Sequence, residues 1–85
     1  MDHTPAEEIQ WTDAGRDHFT GQVRFGPLSK VPDPGLFALG VLFEPGARTD
    51  WHTHPEGQVL DIASGAGKVQ IDDGETVQVS AGDVV

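Results

Sequence analysis

Two histidines and a glutamine carry the chemistry this sequence offers. His52 and His54 are separated by one residue, and Gln58 follows four residues after His54. Imidazole nitrogens and an amide oxygen are neutral donors. Without thiolate, such a set suits a divalent transition metal such as Mn, Fe, Ni or Zn. On an extended strand alternate side chains share a face, so His52 and His54 would project together with Cα atoms roughly 6.5–7 Å apart. Pro55, Glu56 and Gly57 are turn residues, and a reversal there would return Gln58 to the same side. His52, His54 and Gln58 are therefore the expected metal ligands. Glu56 is a rival ligand that turn geometry and spacing disfavour. Asp50 shares the histidine face by parity and is read as a solvated strand-end carboxylate, with an outer-sphere role as the alternative. Trp51 and Thr53 are expected to face the other way and pack the outer layer. Three neutral ligands leave the full metal charge in place, whereas a Glu at position 58 would cancel one unit. The set would thus make a strong Lewis acid for a hydroxyl or carbonyl oxygen.

These residues need short strands and turns to hold them. Residues 48–54 and 58–63 read as the strands on either side of the Pro55 turn. Residues 36–43, LFALGVLF, form an apolar run expected to be a strand buried on both faces. Gly40 within it predicts close backbone approach or a bulge. Residues 19–25 read as a further strand, residues 9–11 as a short edge strand, and residues 12–17 as a loop. Residues 68–71 and 76–80 alternate with period two, and Asp72-Asp73-Gly74 between them is a hairpin turn. Residues 26–35 are a Pro-rich connection, in which Asp33 is a turn residue or a residue at a pocket mouth. His3 and His18 have no ligand-type partner nearby and are read as solvated or structural. No amphipathic helix and no nucleotide-binding glycine motif is present.

The composition sets the remaining bounds. The chain has 85 residues, enough for one small domain. Chains of this size bury about 60–65% of their unfolded surface, so a metal or a second chain would add needed stability. Fourteen acidic against five basic residues give a net charge of −9, which argues against nucleic-acid and anionic-membrane partners. The absence of cysteine excludes disulfides and thiolate metal sites. The N-terminal sequence lacks a basic-then-apolar pattern, and no apolar run approaches the roughly 20 residues of a membrane span. A cytoplasmic protein is expected.

The stretch from Gly46 to Gly65 resembles the first motif of the cupin superfamily. That motif is Gly, five residues, His-x-His, three or four residues, Glu or Gln, six residues, Gly. Gly46, His52, His54, Gln58 and Gly65 satisfy every spacing. Ala81-Gly82-Asp83-Val84-Val85 resembles the segment leading into the second motif. PLSKVPDP and FEPGARTDWHTHPEGQ are similar to small single-domain bacterial cupins, some of which are manganese-dependent hydroxynitrile lyases. The resemblance implies an all-β fold, the cupin double-stranded β-helix or jelly-roll barrel, with the metal inside. It implies His52, His54 and Gln58 as three of four metal ligands. The fourth, a second-motif histidine, has no counterpart here, because the chain ends before that motif begins. The expected organisation is an N-terminal arm, residues 1–18, followed by a cupin barrel over residues 19–85 that is incomplete at its C-terminus.

Three readings of function follow. The first is a metal-dependent enzyme acting on a small organic substrate, of the lyase or dioxygenase type. The second is a non-catalytic metal or small-molecule binding module. The third concerns assembly: a part-barrel exposes apolar surface and strand edges, so a homodimer is expected.

Overall fold

The computed structural model describes residues 3–29, 37–55 and 57–85. The fold is all-β: among the described residues the only helical turn is a 3-10 turn at Ala6–Glu8. Seven strands follow, β1 (Thr12–Asp13), β2 (Phe19–Thr20), β3 (Val23–Pro27), β4 (Leu39–Phe43), β5 (Arg48–Thr49), β6 (Ala66–Gln70) and β7 (Thr76–Ser80). They fall into two compact units, Met1–Thr53 and His54–Val85. Among the described residues no helix is long and apolar enough to cross a membrane. Asp33 and the rest of residues 30–36, together with Glu56, lie outside the described residues.

The first unit is built on the antiparallel sheet β1-β3-β4. Val23 and Phe25 project to one face of β3, and Val23 is fully buried. The expected strand over residues 19–25 is divided. Gly21 takes φ 85° and lies so close to Ala47 that a Cβ would sit 2.9 Å from the Ala47 Cα. This kink sends Phe19–Thr20 into a separate ribbon with Arg48–Thr49, in the register Phe19 to Thr49 and Thr20 to Arg48. The Phe19 ring bridges the ribbon and the sheet. It meets Phe25 edge-on at 5.5 Å and Phe43 at 6.3 Å between centroids.

The β3–β4 register runs unbroken from Val23–Phe43 to Pro27–Leu39 and sets Gly26 opposite Gly40. Gly40 therefore marks a close approach and not a bulge. What approaches is Trp11. A Cβ on Gly26 would meet Ile9 Cγ2 at 2.7 Å and Trp11 Cδ2 at 2.9 Å, and one on Gly40 would meet Trp11 Cη2 at 2.8 Å. Residues 9–11 are thus packed across a glycine saddle, and the edge strand is Thr12–Asp13 instead. Asp13 closes the following turn by accepting from the Gly15 N–H at 2.7 Å, while Ala14 donates to the Val23 carbonyl at 2.9 Å. The Gly15 N–H, and next the Gln22 side-chain amide, hold the Asp13 carboxyl below its ordinary value. The apolar run expected to be buried on both faces is an edge strand, with Val41, Leu42 and Phe43 each a little over 40% exposed.

In the second unit the expected hairpin is present, with β6 and β7 paired from Ala66–Ser80 to Gln70–Thr76. Asp73 adopts φ 62°, and the Gly74 N–H donates to the Ile71 carbonyl at 2.9 Å. Val79 is buried. Residues 60–62 run antiparallel to residues 83–85, through reciprocal Leu60–Val85 bonds and an Ile62-to-Asp83 bond. The turn Ala81-Gly82-Asp83 that sets up this pairing is closed by the Asp83 carboxylate, which accepts from the Ser80 N–H at 2.8 Å.

Candidate metal centre

The local structure around the histidines differs from an uninterrupted strand. The β5 ladder covers Arg48–Thr49 alone, with one further bond from the Asp50 N–H to the His18 carbonyl at 2.7 Å. Beyond Asp50 no ladder imposes the two-residue alternation on which the shared face of His52 and His54 was argued. The reason lies in the partner: in the antiparallel register residues 16–18 come opposite Asp50 and the residues after it, and they form a bend instead of a strand. Trp51, expected to pack an outer layer, is 68% exposed.

His52 belongs to the first unit, and His54 and Gln58 belong to the second. All three are exposed. The His52 Nδ1 lies 2.8 Å from the Asp50 backbone carbonyl oxygen. The His54 carbonyl accepts from the Gly57 N–H at 3.0 Å, and Gly57 takes φ 84°. This is the turn that Pro55 and Gly57 were read to make, and Gln58 leaves it. Among the described residues no group of three His, Asp or Glu side chains is arranged to hold a metal. The candidate set has a different composition, two histidines and an amide. Its chemistry fits a divalent transition ion: all three donors are neutral, and the sequence holds no thiolate.

The sequence reading missed one participant. Asp50 was weighed for its carboxylate, but its backbone carbonyl is the group that meets His52. Main-chain carbonyls are present at every residue, so no residue type could have marked it. His18 takes part in the same way, through its carbonyl. His3 is exposed in the N-terminal segment.

Comparison with known proteins decides the family. Residues 40–85, more than half of the chain, match the cupin domain family. The chain is a cupin. It is also similar to an (R)-mandelonitrile lyase of Granulicella tundricola, with 53% identity over 70 residues, covering 81% of this chain and 53% of that protein. This cupin thus spans about half the length of the curated relative it matches. The all-β cupin fold class read from the motif stands.

Proposed function

We propose that this cupin binds a divalent transition metal through His52, His54 and Gln58, and serves a lyase-type reaction on a small 2-hydroxynitrile. The observation that carries this reading is the 53% identity to a mandelonitrile lyase, joined to the spacing of the three donors in the cupin motif. When bound, the metal supplies Lewis acidity that lowers the cost of an oxygen-centred negative charge. His52 and His54 would hold the ion by their imidazoles and Gln58 by its amide oxygen, so none of the three offsets the ion's charge. In the forward reaction the hydroxyl proton leaves to a base, the C–CN bond breaks, and aldehyde and cyanide result. Manganese is the metal we propose first, with Fe, Zn and Ni as the alternatives for the same donors.

The chain spans about half the length of the relative, so turnover and metal binding are both proposed for this chain, not transferred to it. The partners we propose are the small-molecule substrate and a second copy of the chain, not nucleic acid or membrane. Self-association is supported by Phe37, Val59 and Ile71, which are 79%, 78% and 72% exposed.

The test loads the protein with Mn, Fe, Zn or Ni in turn and follows cyanide release from mandelonitrile. Calorimetry with each metal accompanies it. Binding that His52→Ala abolishes, with cyanide release, is the expected result. Binding without turnover in any loaded form would leave a non-catalytic binding module, and oxygen uptake with a flavonol would turn the reading to a dioxygenase. No binding of any of the four metals would refute the proposal.

A further inference from the structure

We infer that Asp73 is the residue of this chain that converts to isoaspartate, and that the β6–β7 turn gates the conversion, which proceeds from the opened hairpin. Asp73 is the only aspartate followed by glycine, and the sequence holds no asparagine. Glycine matters here because it has no Cβ to shield its own amide nitrogen. The step is an internal condensation. The Gly74 amide nitrogen gives up its proton and attacks the Asp73 Cγ; that carbon–nitrogen bond forms, and one carboxyl oxygen leaves as water. The five-membered imide then takes up water. Where the original Asp73–Gly74 main-chain bond breaks, the chain runs on through the Asp73 side chain and the α-carboxylate is left free. One water leaves and one enters, so no oxidant or cofactor is needed.

The structure separates the two reacting groups by their surroundings. Asp73 is exposed, whereas Gly74 is half-buried. The Gly74 N–H donates to the Ile71 carbonyl at 2.9 Å, so the attacking nitrogen is committed to the turn and its proton is withheld from base. The Gly74 carbonyl accepts from Gln70 Nε2 at 3.2 Å, which ties the glycine on its other side. The Ile71 side chain closes over it: a Cβ on Gly74 would strike Ile71 Cγ1 and lie 3.2 Å from Ile71 Cδ1. Asp73 is held at φ 62°, and the paired strands on either side, ending at Gln70 and Thr76, keep the turn closed. The electrophile is thus in water while the nucleophile is pinned, and the rate is set by how often the turn opens. The product would matter to the fold. Isoaspartate lengthens the backbone of the turn by one atom, which spoils the Gly74-to-Ile71 bond in the hairpin that carries the buried Val79.

The experiment incubates the full chain at neutral pH, with and without urea, and counts isoaspartate by methyl transfer from labelled S-adenosylmethionine with an L-isoaspartyl methyltransferase. No Lys or Arg follows Lys68, so trypsin releases residues 69–85 as one peptide, and its fragmentation places the label. Label at Asp73 is expected, accumulating at least about tenfold faster in urea, the equivalent of an opening of roughly 1.4 kcal/mol. Gln70→Ala removes one tie on Gly74 and is expected to raise the rate without urea about two- to tenfold, the worth of a typical hydrogen bond, and to leave the rate in urea unchanged. Asp73→Glu, which would need a six-membered ring, is expected to abolish the label. Label elsewhere, label that persists in Asp73→Glu, or no label in urea overturns the site. Equal wild-type rates with and without urea, or an unchanged rate in Gln70→Ala, overturn the gate. Should either variant fail to fold, the two wild-type rates and the peptide still decide both points.

Discussion

Gly26→Ala adds one methyl group at the most crowded point of the first unit, and its cost follows from three distances. The new Cβ would sit 2.7 Å from Ile9 Cγ2, 2.9 Å from Trp11 Cδ2 and 2.9 Å from Trp11 Cε3. Comfortable contact needs roughly 3.5–4.0 Å, so Ile9 and the indole must each retreat by close to 1 Å. The indole is rigid and also rests on Gly40, whose own Cβ position is 2.8 Å from Trp11 Cη2. Moving off Gly26 therefore lifts the ring from Gly40, opposite it in the register. Overpacking of this kind costs about 1–3 kcal/mol. Restricting the unfolded chain by replacing glycine returns about 0.4–1 kcal/mol. A net loss of about 1–2 kcal/mol is expected, or a fall in Tm of roughly 4–16 °C for a chain of this length. Thermal unfolding followed by circular dichroism measures it. The decisive comparison is the double-mutant cycle with Trp11→Ala, which removes the ring that the methyl strikes. In the Trp11→Ala background Gly26→Ala should cost less than half as much, a coupling of about 0.5–1 kcal/mol. Equal or greater stability of Gly26→Ala, or strict additivity with Trp11→Ala, would refute the saddle as the reason for the two glycines.

Three other outcomes are expected. Gln58→Glu places an anionic donor in the proposed set, so calorimetry should show tighter manganese binding while cyanide release slows, because the added charge weakens the Lewis acid. Asp73→Val forces a β-branched residue to the left-handed backbone that Asp73 holds at φ 62°, and the hairpin should lose about 1–2 kcal/mol in a denaturant titration. Asp13 has a lowered folded pKa because the Gly15 N–H and then the Gln22 amide favour its carboxylate. Its contribution is fully present above the ordinary carboxylate value and is lost as pH falls through the lowered one. Stability of the wild type and of Asp13→Asn, measured from neutral to acid pH, should therefore converge as pH drops; a gap that widens in acid would contradict this sign.

What could be read along the chain was what residue types enforce locally. Asp72-Asp73-Gly74 turns because Asp and Gly tolerate a left-handed backbone, and the hairpin it predicts is the one observed. Pro55 and Gly57 mark a turn because proline fixes a negative φ and glycine accepts the φ of 84° that Gly57 holds. The donor types of His52, His54 and Gln58 and their motif spacing are properties of the string, and they led to the cupin family. Strand lengths were not legible in this way. Residues 48–54 favour strand by type, but the ladder stops at Thr49 because its partner, far away in sequence, is bent at residues 16–18, where the pairing would continue. The apolar run ending at Phe43 has the composition of a buried strand, yet it lies at a sheet edge because sheet order is set by pairing between distant segments. Gly40 announced a close approach without naming Trp11. Asp50 meets His52 through a carbonyl that every residue possesses. Side-chain chemistry and local backbone preference are written residue by residue, whereas pairing partners and main-chain contacts exist only once the chain has been brought back upon itself.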